Sequence, residues 1–146
     1  MSSGAGFLLA VLWFDLMFDV QVLRHRGRDV PEGALASIAA YYRRVTTGAR
    51  PMNLLVGAVM AATLVAIVVQ IVDGDDPEWV AWASLALAGG AIMLAGAHTF
   101  PSAKRLGARI DEPGVQSRLA RSIFHDHLLC VAAIVAVLVL QLGVAA

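Results

Sequence analysis

Lysine and arginine are missing from most of this 146-residue chain: none occurs before Arg24, between Arg50 and Lys104, or after Arg121. Charged residues of both signs make up only 15% against 59% hydrophobic, whereas a soluble domain usually carries about 25% charged residues. The excess lies in four apolar runs, which excludes an ordinary soluble domain and makes lipid the solvent for most of the chain. The single cysteine, Cys130, excludes an intrachain disulfide. No base precedes the first apolar run, and that run holds Asp15 and Asp19, so the N-terminus reads as a retained helix and not as a secretory signal. Neither end carries a lipidation motif. No basic footprint of the kind that follows a nucleic-acid groove is present, so nucleic acid is not an expected partner and membrane lipid is. There is no internal repeat, and the length suits one compact unit.

What is present is an all-α pattern. It predicts a four-helix transmembrane bundle, a single integral membrane domain over residues 1–146 with spans at about 6–23, 52–72, 79–100 and 122–142. Each span is near the roughly 20 residues that a bilayer requires. Between spans one and two, Leu35, Ile38, Tyr42 and Val45 fall at helical spacing beside Tyr41, Arg43 and Arg44. An amphipathic helix is expected there over about 31–47, lying at the interface or packed under the bundle, with Asp29 as a cap and its tyrosines at headgroup level. Gly48 and Pro51 are expected to break the chain before span two, and Pro101 to stop span three. Trp79 and Trp82 open span three as interface anchors. Gly89, Gly90 and Gly96 give that span a small-residue face, through which a homo-oligomer would form.

All 11 bases lie in the loops 24–50 and 101–122, while the remaining turn, Asp73-Gly74-Asp75-Asp76-Pro77-Glu78, holds four acids and no base. An even number of spans separates the basic loops, so they share a side. The positive-inside rule makes that side cytoplasmic and puts both termini outside, in the cell membrane.

Polar residues inside lipid are costly, about 2.5 kcal/mol or more for a central Asp on an insertion scale. Asp15 and Asp19 share a face of span one. Asn53 starts span two, His98 ends span three, and His125, Asp126 and His127 enter span four. All four spans thus bring polar groups into the cytoplasmic half, where the opposite half offers Ser84 and Gln141. His and Asp are natural ligands for iron, copper, zinc or manganese, and helix bundles build such sites from facing helices. Asp15, Asp19, His98, His125 and His127 are therefore the candidate metal ligands, with Asp126 orienting a ligand histidine and Asn53 beside it as candidate catalytic residues. The Glu-x-x-His pairs of soluble di-iron bundles are absent. His125 and His127 stand roughly 200° apart on an ideal helix, so one faces in when the other faces out. A haem held by His98 and a span-four histidine is a further possibility, as is an ion or proton pathway along the aspartates. Each residue also admits a structural role: Asp19 paired with Arg24 or Arg121, His98 capping span three, Asp126 in the helix dipole, Cys130 as a small buried hydrophobe.

Tyr41-Tyr42-Arg43-Arg44 leading through Pro51, Thr99-Phe100-Pro101-Ser102-Ala103-Lys104-Arg105-Leu106 after span three, and Ala120-Arg121-Ser122-Ile123-Phe124-His125-Asp126-His127 entering span four together resemble the anthrone oxygenase-like family of small four-span membrane proteins. The resemblance covers about residues 40–140, and Asp15 and Asp19 depart from it. It implies oxygenase chemistry on polycyclic aromatic substrates in some members. The function expected from the sequence is therefore a membrane metal-dependent oxidoreductase, an oxygenase or hydroxylase, acting on a lipophilic small molecule near the cytoplasmic face. The alternative is a non-enzymatic accessory subunit or an oligomeric ion or proton pathway.

Overall fold

A computed structural model describes residues 2–25, 29–48, 50–74 and 77–145. Arg26, Gly27 and Arg28 of the first basic loop, and Asp75 and Asp76 of the acidic turn, lie outside the described residues, as does the side chain of Arg50. Every regular element among the described residues is helical: α1 (Ser2–Asp19), α2 (Glu32–Arg43), α3 (Arg50–Asp73), α4 (Glu78–Leu94), α5 (Phe100–Ala108) and α6 (Pro113–Ala145). A 3-10 segment, Val20–His25, prolongs α1, and π-helical turns at Arg44–Gly48 and Ala95–Thr99 join α2 to α3 and α4 to α5.

Among the described residues, four stretches are long and apolar enough to cross a membrane: Ser3–His25, Pro51–Asp73, Glu78–Ala108 and Pro113–Gly143. Their pairing closes a ring, with α1 on α6, α6 on α4, α4 on α3 and α3 on α1. The last two stretches have 31 residues each. That exceeds the roughly 20 needed to span, so each projects beyond the bilayer by about 16 Å, both ends together, at 1.5 Å per residue.

The two prolines explain the π turns. Pro101 has no N–H and its ring crowds the carbonyl one turn back. The helix answers by widening: the Phe100 N–H reaches Ala95 O, five residues back, and the chain runs on to Ala108. Pro101 therefore does not stop the helix, as the sequence suggests, but inserts a bulge into it. The turn before Pro51 is similar, and side chains satisfy the carbonyls there. Thr46 Oγ1 donates to Tyr42 O at 2.7 Å, Thr47 Oγ1 to Arg43 O at 2.5 Å, and Asn53 Nδ2 reaches back to Val45 O at 2.6 Å.

At the basic end α2 packs on α5 and, more lightly, on α6. Its face of Leu35, Ile38, Ala39 and Tyr42 is buried on protein with Val22, Leu106, Ile123 and Phe124. Gly107 allows the closest approach: a Cβ there would lie 2.8 Å from the Arg43 nitrogen. The α5–α6 turn is tied down by polar bonds. Arg109 takes a left-handed conformation (φ 56°) and pairs with Glu32 of α2. Arg105 holds Asp111 through two 2.7 Å bonds, and Ser117 Oγ accepts the Val30 N–H at 2.9 Å. The Arg105 guanidinium keeps the Asp111 carboxyl below its ordinary range. Among the described residues of the spanning part, the buried clusters are small, one around Leu8, Cys130 and Ile134 and one of Ile67, Ala88 and Val137.

Candidate functional site

The intramembrane polar residues form two networks near the basic end. In the first, Asp19 is fully buried between α2 and α6. Tyr42 OH donates to its Oδ1 and His127 Nδ1 to its Oδ2, each at 2.6 Å. One turn along α1, Asp15 Oδ1 accepts the Tyr41 hydroxyl at 2.6 Å, and its Oδ2 lies 3.8 Å from His127 Nε2, within ion-pair range and beyond a hydrogen bond. The i, i+4 spacing of the aspartates meets the adjacent tyrosines of α2, and Phe18 stacks on the Tyr41 ring at 4.1 Å. Burial first, then the neighbouring carboxylates, pushes both phenols far above their ordinary range. They remain donors at any physiological pH.

The second network joins the π turn of Ala95–Thr99 to α6. Asp126 Oδ2 accepts from His98 Nδ1 at 2.7 Å and from Thr99 Oγ1 at 2.9 Å. Asp126 is buried, whereas the His98 side chain is 52% exposed. His125 is exposed on another face of α6, its Nδ1 donating to Arg121 O at 2.7 Å, while His127 faces the interior. The two histidines separate as a two-residue offset on a helix requires.

The five candidate ligands are thus distributed among three places. Asp15, Asp19 and His127 meet; His98 meets Asp126; His125 stands apart. Among the described residues no group of three or more His, Cys, Asp or Glu side chains is arranged to hold a metal ion. Asp126 is the hydrogen-bond partner of His98. Asn53 is bonded across the α2–α3 break, to Val45 O. At the opposite end Gln141 exchanges bonds with Gln70 at 3.1 and 3.2 Å and donates to Ser84 Oγ at 2.9 Å, joining α3, α4 and α6.

Sequence reasoning missed the partners. Their spacing suggests the headgroup belt for Tyr41 and Tyr42, yet Tyr42 is buried and both phenols are bonded to the span-one aspartates. The sequence suggests Arg24 or Arg121 for Asp19, which bonds Tyr42 and His127 instead. Thr99 and Gln70 were passed over. The one available signal was the match between two carboxylates at i, i+4 and two phenols in an amphipathic helix. Among the described residues, the buried side-chain nitrogen and oxygen atoms that lack a partner are Arg109 Nη1 and Gln116 Oε1, both at the α5–α6 turn. Asp15, Asp19, Asp126 and Gln141 each bond side chains of other helical segments, while His125 and Thr63 bond carbonyls of their own helices.

Fold and site together define a small helical membrane protein whose buried polar side chains clamp its helices. The chain belongs to the SHR3 chaperone family: the family model described as "ER membrane protein SH3" matches residues 3–145. No curated protein and no solved structure gives a significant match. Membership overturns the resemblance to the anthrone oxygenase-like family, which rests on hydropathy and on short basic and proline motifs. With it falls the metal-dependent oxidoreductase reading, which the division of Asp15, Asp19, His98, His125 and His127 also opposes.

Proposed function

We propose that this protein is a non-enzymatic membrane chaperone that attends other membrane proteins. Its family match over 143 of 146 residues, 3 to 145 inclusive, carries the reading. The site supports it: the costly polar groups of the spans are used to hold α1, α2, α4 and α6 together. A scaffold that must present an apolar surface without collapsing needs such fixed internal ties, since lipid gives no hydrophobic drive between helices. Span two, α3, is the least buried of the four and offers Leu54, Val65, Val68, Val69 and Val72 outward.

The family is described as an ER membrane protein, which supports the ER membrane as this protein's location in place of the cell membrane expected from the sequence. The positive-inside rule gives the same topology in either, with loops 24–50 and 101–122 cytoplasmic. The experiment is depletion of the protein followed by quantitative membrane proteomics and by crosslinking in intact membranes. A defined set of multispan proteins should lose abundance or aggregate, and the same proteins should crosslink to the chain. An unchanged membrane proteome with no crosslinked membrane protein would sink the proposal. Topology is tested in a Cys130→Ala background: Glu78→Cys should react with an impermeant reagent from the non-cytoplasmic side, and Ala108→Cys should not.

A further inference from the structure

Among the described residues, Arg24, Arg43, Arg44, Lys104 and Arg118 are exposed, and none of their side chains makes an ion pair or hydrogen bond. The acids on the same side are engaged or distant. Glu32 pairs with Arg109 and Asp111 with Arg105. Asp29 stands beside Arg118: a Cβ at Gly114 would lie 4.0 Å from Asp29 Oδ1 and 3.9 Å from Arg118 Nη1. Glu112 is in the α5–α6 turn, past the far end of α5.

Arg43, Arg44 and Lys104 gather where α2 crosses α5. The crossing is fixed at Gly107, where a Cβ would lie 2.8 Å from the Arg43 nitrogen and 3.0 Å from its Cα. Lys104 is one turn from Gly107 on α5, roughly 5–6 Å away. The backbones of Lys104 and Arg43 are therefore within about 10 Å of each other, the scale over which charges act at 0.1 M salt. Arg44 is the next residue of the chain. Cations this close repel one another, and no described acid neutralises them. Their depth follows from the third span. With Trp79 at the opposite interface, about 20 residues of hydrocarbon crossing end near Thr99. Lys104 comes five residues later, about 7–8 Å further out at 1.5 Å per residue. That is the headgroup layer, and Arg43, level with Gly107, stands one turn beyond it.

We propose that the α2–α5 crossing is a binding surface for anionic phospholipid headgroups, whose phosphate oxygens face Arg43, Arg44 and Lys104 in the leaflet on the basic side. An anion is the partner because three exposed cations meet there with no acid beside them. Lipid is its source because the cations stand at headgroup depth. Long, flexible basic side chains follow a headgroup without a preformed cleft, and the arginine forks match phosphate oxygens. An acidic segment of another protein is the poorer occupant, since at this depth it would have to displace the headgroups first. The surface goes beyond the chaperone reading and does not require it.

Native mass spectrometry tests this on the full chain in mild detergent, after exchange into equal phosphatidylglycerol and phosphatidylcholine. The wild type should retain phosphatidylglycerol in preference, and the preference should fall as salt rises. Arg43→Gln/Arg44→Gln/Lys104→Gln should reduce it by about tenfold or more, since one base near an anionic surface is worth about fivefold. Arg24→Gln/Arg118→Gln removes two unpaired bases elsewhere and should keep it. All five side chains are exposed and unbonded, so both variants should fold, with thermal unfolding in detergent as the check. A wild type that retains the two lipids equally, or a preference insensitive to salt, would overturn the proposal. So would an unchanged preference in the triple variant. An equal loss per charge in the double variant would make the attraction a diffuse effect of net charge and overturn the local surface. Lys104 is the only lysine, so amine crosslinking in native membranes reports on this place. Crosslinks from Lys104 to an acidic protein segment, with the lipid preference of the triple variant intact, would give the surface to a protein partner and overturn the proposal.

Discussion

The basic end of the molecule and its lipid-spanning half are built on different principles. At the basic end eleven buried residues, Val22 of the 3-10 segment, Val30 just before α2, and others from α2, α5 and α6, form one continuous core, bordered by the Asp15–His127–Asp19 network and by ion pairs at the α5–α6 turn. Most of the spanning half is small clusters with large apolar side chains turned outward, such as Trp13, Leu54, Val72, Met93 and Val139. The first region is organised like a water-soluble domain, with apolar burial and polar closure. The second relies on close packing of small residues and on a few polar ties, because burial against another helix gains little over burial in lipid. The chain thus carries a rigid base under a lightly held bundle.

Removing the central carboxylate of the base should have the largest effect. Asp19→Ala leaves His127 and Tyr42 buried without their acceptor and should lower stability by about 3–5 kcal/mol. Gln141→Leu, which removes the tie at the other end, should cost about 1 kcal/mol. Thermal unfolding in detergent compares them, and equal losses would erase the distinction between the two ends. Next, Leu106→Ala in the base core should cost about 2–5 kcal/mol, while Val139→Ala on the lipid face should stay within about 0.5 kcal/mol. Gly107→Ala drives a methyl into the Arg43 backbone and should cost about 1–3 kcal/mol. Gly57→Ala meets open space and should be neutral or slightly stabilising.

A smaller effect should appear at high pH. Both phenols are raised in the folded protein, so the unfolded chain releases their protons first. The stability they contribute is complete below the unfolded value of about 10 and is lost as pH rises above it. Alkaline unfolding should therefore begin in α2 and the base before the spans, as followed by hydrogen exchange, and Tyr42→Phe should reduce the slope. A spanning half that exchanges first would reverse the order.

The spans were legible because lipid selects composition directly: a run such as 54–69, without a charge, has few other solutions. The amphipathic helix was legible from Leu35, Ile38 and Tyr42 for the same reason of periodicity. The helix ends were less so. Pro101 reads as a stop, but neighbouring turns can absorb its missing N–H through an i to i+5 bond, which depends on what packs around the bulge. The site was legible as a list of residues and a common depth, and not as a set of pairs.

Hydropathy, charge segregation and helical periodicity determined that this chain is a helical membrane protein with an amphipathic helix between its first two spans. They also marked which intramembrane residues are costly enough to require partners. Only the tertiary structure decided the partners, giving the aspartates of α1 to the tyrosines of α2 and to His127, and Asp126 to His98. The physical reason is rotation: a sequence fixes a residue's depth along a helix, whereas its azimuth toward a neighbour is set by how whole helices pack. Two side chains at one depth can therefore bond, as Asp19 and His127 do, or face apart, as His125 and His127 do.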